Sequence, residues 1–289
     1  MTTAGPGPLT GRVCLVTGAS SGIGFETAKA LAAQGATLVA VCRSRERGEA
    51  SLARIRAETG NADLHLALAD LSSQASIRQL SKDLLARWPR IHVLVNNAGV
   101  VEIGRRLTAD GLESVFAVNH LGYFLLTLLL LDRLKESAPA RIVNVSSDAH
   151  RFAKFDLGNL QGEKGWSFMR QYGVSKLCNI LFTRELARRL EGSRVTVNCL
   201  HPGAVATGLG QNNGWWAKAL TRALRPFFLT AARGADTSIW LATSPEVEGQ
   251  SGGYYVKRRP AKPTADATDA GNATALWAHS AQLVELPQS

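Results

Sequence analysis

Cysteine is scarce in this chain, and the four that are present form no Cys-x-x-Cys pair. Three of them lie inside apolar segments, where cysteine behaves as a small core residue. We therefore expect reduced, structural thiols and a cytoplasmic protein. The six histidines are scattered and offer no His-x-x-x-His or Glu-x-x-His spacing, so the sequence gives no support for a metal site.

Long apolar runs are also missing. The longest, Leu121 to Leu131, is far shorter than the roughly 20 residues of a membrane-spanning helix, and predicts a buried helix or a subunit interface. The opening stretch "MTTAGPGPLTGR" has no apolar run behind a basic head. We expect neither a secretory signal nor a membrane anchor there, and a flexible tail over residues 1–10.

Acidic residues are outnumbered, with 23 Asp and Glu against 33 Lys and Arg and a formal net charge of +10. Such an excess raises the question of nucleic-acid binding. The basic residues are dispersed, however, and do not alternate with aromatic residues in a recognised motif. We expect no nucleic-acid partner, since positive charge equally suits an anionic cofactor or a membrane surface.

Short apolar or β-branched segments alternate with long helical patterns along the whole chain. This rhythm predicts an α/β fold in which a mostly parallel sheet carries crossover helices on both faces. No long linker or internal repeat divides the chain, so we predict one doubly wound, Rossmann-type domain over residues 11–289. The predicted strands are residues 12–17, 37–42, 64–69, 91–95, 141–146, 195–200 and 253–256.

The first predicted strand runs directly into the glycine-rich stretch "TGASSGIG". A glycine turn between a strand and a helix lets the backbone approach a pyrophosphate, and the free N–H groups of the helix N-terminus bind it. This pattern predicts a dinucleotide site. Its candidate binding residues are Gly18, Ser20, Ser21, Gly22, Ile23 and Gly24.

The end of the second strand, "VAVCRSRER", predicts which dinucleotide is bound. An acidic residue there binds the ribose hydroxyls of NAD, whereas an arginine pairs with the 2′-phosphate of NADP. Arg43 follows the strand and Ser44 adds a hydroxyl, so we predict NADP(H). Asp70 and Leu71, after the third strand, are predicted to lie at the adenine, although Asp70 could also cap a helix that begins near Ser72.

Small and polar residues follow the fourth strand in "NNAG", where the backbone must pass close to a ligand. Asn97, Ala98 and Gly99 are therefore further candidates for cofactor contact.

Six motifs now stand in order: "TGASSGIG", "NNAG", "VNHLG", "IVNVSS", "YGVSK" and "HPGAVATG". Together they resemble the short-chain dehydrogenase/reductase family over nearly the whole chain. The resemblance implies a seven-stranded sheet and a catalytic set made of Asn119, Ser147, Tyr172 and Lys176. It also implies cofactor contacts from Tyr172 and Lys176, and from Pro202, Gly203, Val205 and Thr207 near the nicotinamide.

The spacing of Tyr172 and Lys176 suits proton transfer. Residues four apart share one helix face, so the ammonium can lie near the phenol oxygen. Coulomb's law at about 5 Å and an effective dielectric of about 20 gives roughly 3 kcal/mol. We expect this to lower the phenol pKa by about two units from its usual value of about 10. Ser147 would fix the substrate oxygen, and Asn119 would support a water chain or merely bend its helix.

The segment between Ser147 and Tyr172 is about twice as long as in the usual family pattern. This insertion, about 148–171, resembles the retinol-dehydrogenase-like branch, whose members reduce retinal, other aldehydes and bulky ketones. Its four aromatic residues predict a wall or rim of the substrate pocket: Phe152, Phe155, Trp166 and Phe168. Residues 209–230 predict a lid, with a basic amphipathic helix on a membrane surface or a core-packing helix as alternatives.

We therefore expect an enzyme that transfers a hydride between NADP(H) and an apolar aldehyde, ketone or alcohol, more often as a reductase. A homo-oligomer is expected as well. Two alternatives stay open at this stage. A non-catalytic NADP(H)-sensing protein would bind the cofactor without turnover, and a light-dependent tetrapyrrole reductase would need a pigment and light.

Overall fold

The computed structural model describes residues 7–204 and 229–287. Its strands form one sheet in the order β3-β2-β1-β4-β5-β6-β7-β8, parallel except for the antiparallel pair β7 and β8. The α/β prediction is confirmed. The strands are β1 (Val13–Thr17), β2 (Thr37–Cys42), β3 (Leu64–Leu68), β4 (Val93–Asn96), β5 (Ala140–Val145), β6 (Val195–His201), β7 (Tyr254–Val256) and β8 (Arg259–Pro260).

The described part of the chain has eight strands where seven were expected. The additional strand, β8, consists of two exposed residues, Arg259 and Pro260, at the edge of the sheet. Its sequence has no apolar alternation that would mark it as a strand. An edge position tolerates the proline because the missing N–H needs no ladder partner there.

Helices cover both faces of the sheet. One face packs against residues 74–87, 122–129, 168–189 and 270–283, and the other packs against residues 22–33, 45–59 and 231–243. The helices are α1 (Gly22–Ala33), α2 (Arg45–Thr59), α3 (Gln74–Arg87), α4 (Ser114–Phe116), a π-helical turn (Ala117–Leu121), α5 (Gly122–Leu129), α6 (Leu131–Glu136), α7 (Phe168–Arg189), α8 (Ala231–Thr243), α9 (Ala265–Thr268) and α10 (Ala270–Leu283). Three 3₁₀ turns add Asp148–Phe152, Leu157–Asn159 and Pro245–Val247.

The apolar run from Leu121 to Leu131 lies mostly inside this core. Tyr123, Phe124 and Leu125 are fully buried within the chain itself. The buried-helix interpretation therefore holds for this part of the run, whereas Leu128, Leu129 and Leu131 are only partly buried. None of the helices in residues 7–204 and 229–287 combines the length and apolarity needed to cross a membrane.

The described end of the predicted N-terminal tail packs against the domain. Leu9 is only 8% exposed, and its N–H donates to the carbonyl of Gln34 at 3.0 Å. Residues 7–10 thus form an ordered turn that leads into β1.

Candidate active site

A cleft of about 280 Å³ lies at the carboxyl ends of the central parallel strands. Its floor is the glycine turn between β1 and α1. Gly18 and Gly22 have φ values of +70° and +60°, which residues with a Cβ rarely adopt. A Cβ on Gly24 would lie 2.3 Å from the carbonyl oxygen of Gly18 and 2.4 Å from Asn97 Nδ2. The turn can adopt this shape only because Gly24 has no side chain.

The turn after β4 is tied to the end of β1. The hydroxyl of Thr17 accepts from the backbone N–H groups of Asn97 at 2.9 Å and Ala98 at 3.0 Å, while Asn97 Nδ2 donates to the Thr17 carbonyl at 2.8 Å. These bonds join two glycine-containing turns into one rigid wall. Thr17 opens the glycine-rich motif, but its anchoring role depends on a contact with a distant turn.

Two arginines project from the end of β2 and the start of α2. Arg43 and Arg47 both line the cleft, and Arg47 Nη2 donates to Ser21 Oγ at 3.4 Å. Ser44 does not line the cleft; its hydroxyl accepts the Arg47 N–H at 3.3 Å as the N-cap of α2. Arg47 was missed by the sequence reasoning, although it stands only four residues after Arg43 in "CRSRER", in the first turn of α2.

Asp70 lines the cleft at the end of β3, but it does not cap α3. The helix begins at Gln74 and is capped by Ser73, whose side chain accepts from the N–H of Ser76. Asp70 Oδ1 instead accepts from the N–H and the hydroxyl of Ser72, at 2.9 Å and 2.7 Å. The predicted capping role is therefore wrong, because the turn between strand and helix is longer than expected.

Asn119 lies in the π-helical turn and is fully buried. Its Oδ1 accepts from the N–H of Val100 at 2.8 Å, and its Nδ2 donates to the Val100 carbonyl at 3.0 Å. Its own carbonyl accepts from Asn179 Nδ2 at 2.9 Å. A wide turn of this kind frees a backbone carbonyl for a side-chain partner, and such turns are frequent at functional sites. Both the helix-bending and the site-supporting interpretations of Asn119 stay compatible with this geometry.

Lys176 is 3% exposed, and its Nζ donates to the carbonyl of Val145 at 2.9 Å. The ammonium lies 5.6 Å from the ring centres of both Tyr123 and Tyr172. Burial lowers the pKa of Lys176 to about 7. The side chain is therefore poised to change its charge near neutral pH.

Tyr172 is half-buried at the inner end of the cleft and hydrogen-bonds the side chain of Ser147. Ser147 caps the 3₁₀ turn that follows β5, and its carbonyl accepts from His150 Nδ1 at 2.7 Å. Ser146, its neighbour, is buried and donates to the Lys176 carbonyl at 2.7 Å, which supports the structural role expected for it.

The expected lowering of the Tyr172 pKa is wrong for the protein on its own. Burial raises the pKa to about 12, and the hydrogen bond to Ser147 offsets only part of that rise. Removing both groups from water costs more than the attraction between ammonium and phenolate returns. That cost also holds down the charge of Lys176, which is the charge that would stabilise a phenolate.

The structure brings most of the predicted site residues into one cleft. Among the predicted cofactor residues, Ser44 and Gly203 are not part of the lining, and Val205 and Thr207 lie outside the described residues. The predicted residues that line the cleft are Gly18, Ser20, Ser21, Gly22, Ile23, Gly24, Arg43, Asp70, Leu71, Asn97, Ala98, Gly99, Tyr172, Lys176 and Pro202.

Gly203 has φ +88°, and a Cβ there would lie 2.5 Å from Leu229 Cδ1. Glycine is therefore needed after Pro202 because of the backbone conformation, and not because this residue lines the cleft. Almost all of the predicted lid, residues 209–230, lies outside the described residues.

The inserted segment lies beside this cleft but separates its four aromatic residues. Phe152 and Phe168 are exposed, at 71% and 46%. Phe155 packs against the core, and Trp166 Nε1 donates to Glu113 Oε1 at 3.4 Å. None of the four lines the cleft. The segment is held on the domain, and its aromatic residues do not form a wall of the cleft.

The cleft fits a nicotinamide dinucleotide on its own features. Only a backbone without side chains lets a pyrophosphate approach at Gly18 and Gly24, and α1 directs its free N–H groups to the same place. Arg43 and Arg47 add two guanidinium groups to the lining of the same cleft. The described residues contain no group of three His, Cys, Asp or Glu side chains able to hold a metal ion.

Comparison with known proteins agrees with this geometry. The family model described as short chain dehydrogenase matches residues 12–218. The human protein named retinol dehydrogenase 11 is 46% identical over 285 residues, which cover 96% of this chain and 87% of that protein.

Solved structures give the same picture. An uncharacterised protein from Mycobacterium paratuberculosis superposes with a TM-score of 0.78 and 33% identity, covering 100% of this chain and 99% of that one. The Pseudomonas aeruginosa RhlG/NADP active-site complex superposes with a TM-score of 0.68 and 29% identity, covering 87% and 96%.

Proposed function

The chain belongs to the short chain dehydrogenase family, and on that premise we propose that it is an NADP(H)-dependent oxidoreductase acting on an apolar aldehyde, ketone or alcohol. One observation carries this proposal. Tyr172, hydrogen-bonded to Ser147 and one helical turn from Lys176, stands at the inner end of a glycine-lined dinucleotide cleft. This is an acid, a positioning hydroxyl and a cation placed around one point.

Reduction is the proposed direction. Bound NADPH would supply a hydride to the carbonyl carbon. Tyr172, with its pKa raised to about 12, holds its proton at neutral pH and can give it to the oxygen. Ser147 would hold that oxygen against the phenol. Lys176, with a pKa near 7, would supply positive charge as the phenol loses its proton.

A preference for NADP(H) over NAD(H) follows from Arg43 and Arg47. Paired guanidinium groups recognise a phosphate monoester through several N–H donors, and they offer nothing comparable to a free ribose hydroxyl. The RhlG structure, whose name includes NADP, supports the proposal by analogy. The similarity to the human protein named retinol dehydrogenase 11 supports an apolar, retinal-like substrate.

The experiment is a panel of apolar aldehydes and ketones, including retinal, with NADPH or NADH consumption as the readout. We expect turnover of at least one apolar carbonyl with NADPH, and kcat/KM at least tenfold lower with NADH. NADPH binding without consumption on any member would overturn the proposal. Equal use of NADPH and NADH would overturn the cofactor assignment alone.

A further inference from the structure

A second cavity, of about 310 Å³, lies at the opposite edge of the sheet. It is lined where β1, β4, β5 and β6 begin, whereas the cleft lies where the parallel strands end. Strand β6 has 7 residues, so about 20 Å separates the two edges at ~3.3 Å per residue. Cofactors and substrates of doubly wound folds bind at the carboxyl ends of the strands, so this cavity is not part of the proposed active site.

Positive charge dominates the lining of this cavity. Arg12, Arg141 and Arg194 contribute guanidinium groups, and Glu248 contributes the carboxylate that faces them. Within the described residues none of the three arginines forms an ion pair with a carboxylate. Burial lowers the pKa of Arg141; Glu248 opposes that effect and Arg12 adds to it. Arg12 and Arg141 therefore repel one another across the cavity.

His92 adds a directed donor. The side chain is 6% exposed, and its Nδ1 accepts from the N–H of Val13 at 3.0 Å. The accepting role of Nδ1 places the ring proton on Nε2, and no acceptor for it exists among the described residues. Burial, with Arg12 and Arg90 nearby, lowers the pKa of His92, so the ring stays neutral. This N–H opens into the cavity, where an acceptor oxygen of a bound ligand can take it.

Arg141 is the fixed part of the cavity wall. Its Nη1 donates to the carbonyls of Leu241 and Ser244, at 3.2 Å and 2.7 Å, at the C-terminal end of α8. Arg194 is the strained part, because its φ of +58° lies in the left-handed region that residues with a Cβ rarely adopt. Backbone strain of this kind persists at binding sites, where it fixes a side chain in position.

We propose that this cavity binds a small phosphomonoester-type dianion. The three arginines and one glutamate sum to a charge of two, and a phosphomonoester carries about −1.5 to −2 near pH 7. Its oxygens are all acceptors, which match guanidinium forks and the Nε2–H of His92. A volume at the small end of the ligand-pocket range, about 300–1,000 Å³, fits a phosphate with a short organic group and not a nucleotide.

The test uses the full chain saturated with NADP⁺, so that phosphate cannot report on Arg43 and Arg47. Inorganic phosphate and glycerol phosphate are titrated at constant ionic strength against chloride, with thermal unfolding and calorimetry as readouts. We expect saturable stabilisation of the wild type. The double variant Arg12→Gln/Arg194→Asn should bind at least tenfold more weakly. Arg56→Gln, which removes one exposed charge from α2, should bind as the wild type does.

The two phosphate arms separate the sources of the ligand. Tighter binding of glycerol phosphate than of inorganic phosphate supports an organic phosphate ligand, and equal binding supports free phosphate; either result supports the site. Absence of a saturable response in the wild type overturns the proposal, as does an equal response in the double variant. Succinate binding more tightly than both phosphates would overturn the choice of anion. Should the double variant not fold, Arg12→Gln alone, expected to bind at least threefold more weakly, gives the same decision.

Discussion

The two sides of Tyr172 are built in different ways. On the cofactor side the shape comes from backbone, since Gly24 packs against the Gly18 carbonyl and Thr17 ties two turns together. On the other side the inserted segment is held by the side chain of Glu113, a buried carboxylate.

Glu113 collects bonds from distant parts of the insertion. Its carboxylate accepts from Gln171 Nε2 at 2.8 Å and from Trp166 Nε1 at 3.4 Å, while its N–H donates to Gln161 Oε1 at 3.0 Å. The difference teaches where each side is vulnerable. The cofactor side should be disrupted when a side chain is added at a glycine. The insertion should loosen when an acceptor oxygen of Glu113 is lost.

The largest effect is expected at the junction of the two sides. Tyr172→Phe removes the proton donor and keeps the ring, so kcat should fall about 10³-fold, or about 4 kcal/mol, with NADPH affinity unchanged within a few-fold. Tyr123→Phe is the matched control, because both rings lie 5.6 Å from Lys176 Nζ. A loss in Tyr123→Phe equal to that in Tyr172→Phe would contradict the assignment of the acid.

The next largest effect tests the cofactor side alone. Arg43→Ala/Arg47→Ala should lower kcat/KM with NADPH about 100-fold and leave that with NADH nearly unchanged, because the proposed 2′-phosphate contacts are lost and the 3.4 Å bond from Arg47 to Ser21 is weak. Steady-state kinetics with both cofactors measures it. The single variant Arg47→Ala tests whether Arg47 contributes to the preference for NADPH. An unchanged kcat/KM with NADPH in this variant would assign the preference to Arg43 alone.

The same contrast explains what the sequence could predict. The α/β fold, the strand positions and the cleft lining were readable because glycine turns, apolar runs and Arg43 act over short stretches of chain. Ser73 displaced Asp70 as a cap, and β8 was missed, since both depend on one or two residues of weak local preference. To predict that Arg47 lines the cleft, the start of α2 would have had to be located to within one helical turn.

The contacts that hold the insertion and the pKa of Tyr172 could not be predicted from the sequence, for a different reason. Glu113 meets the insertion across more than 45 positions of chain, and no spacing rule connects them. The pKa of Tyr172 depends on burial, which the pair spacing with Lys176 does not reveal. Long-range contact and desolvation are properties of the folded chain.

A smaller effect should appear in the pH dependence of stability. The pKa of Lys176 falls from 10.5 to about 7 on folding, so the unfolded chain binds more protons between these values. Stability therefore rises with pH in that window, by about 2 kcal/mol between pH 7 and 9 for this residue. Lys176→Met should remove that rise. Denaturant unfolding of both proteins at pH 7 and 9 measures the change in the free energy of unfolding. The buried cysteines and tyrosines titrate in the opposite sense in both proteins, so their contribution cancels when the two changes are subtracted.

The smallest effect tests how Glu113 holds the inserted segment. In Glu113→Gln an amide NH₂ replaces one acceptor oxygen and faces the N–H donors of Gln171 or Trp166, so the insertion loosens. We expect KM for the carbonyl substrate to rise about tenfold, equivalent to about 1.4 kcal/mol, while KM for NADPH stays constant. Glu185→Gln is the control, since Glu185 is also a buried carboxylate and lies near the far end of α7, paired with Arg188 and Arg189. It should lose stability without the change in KM. A rise in both Michaelis constants for Glu113→Gln would mean that the carboxylate supports the whole cleft, and the division between the two sides of Tyr172 would fail.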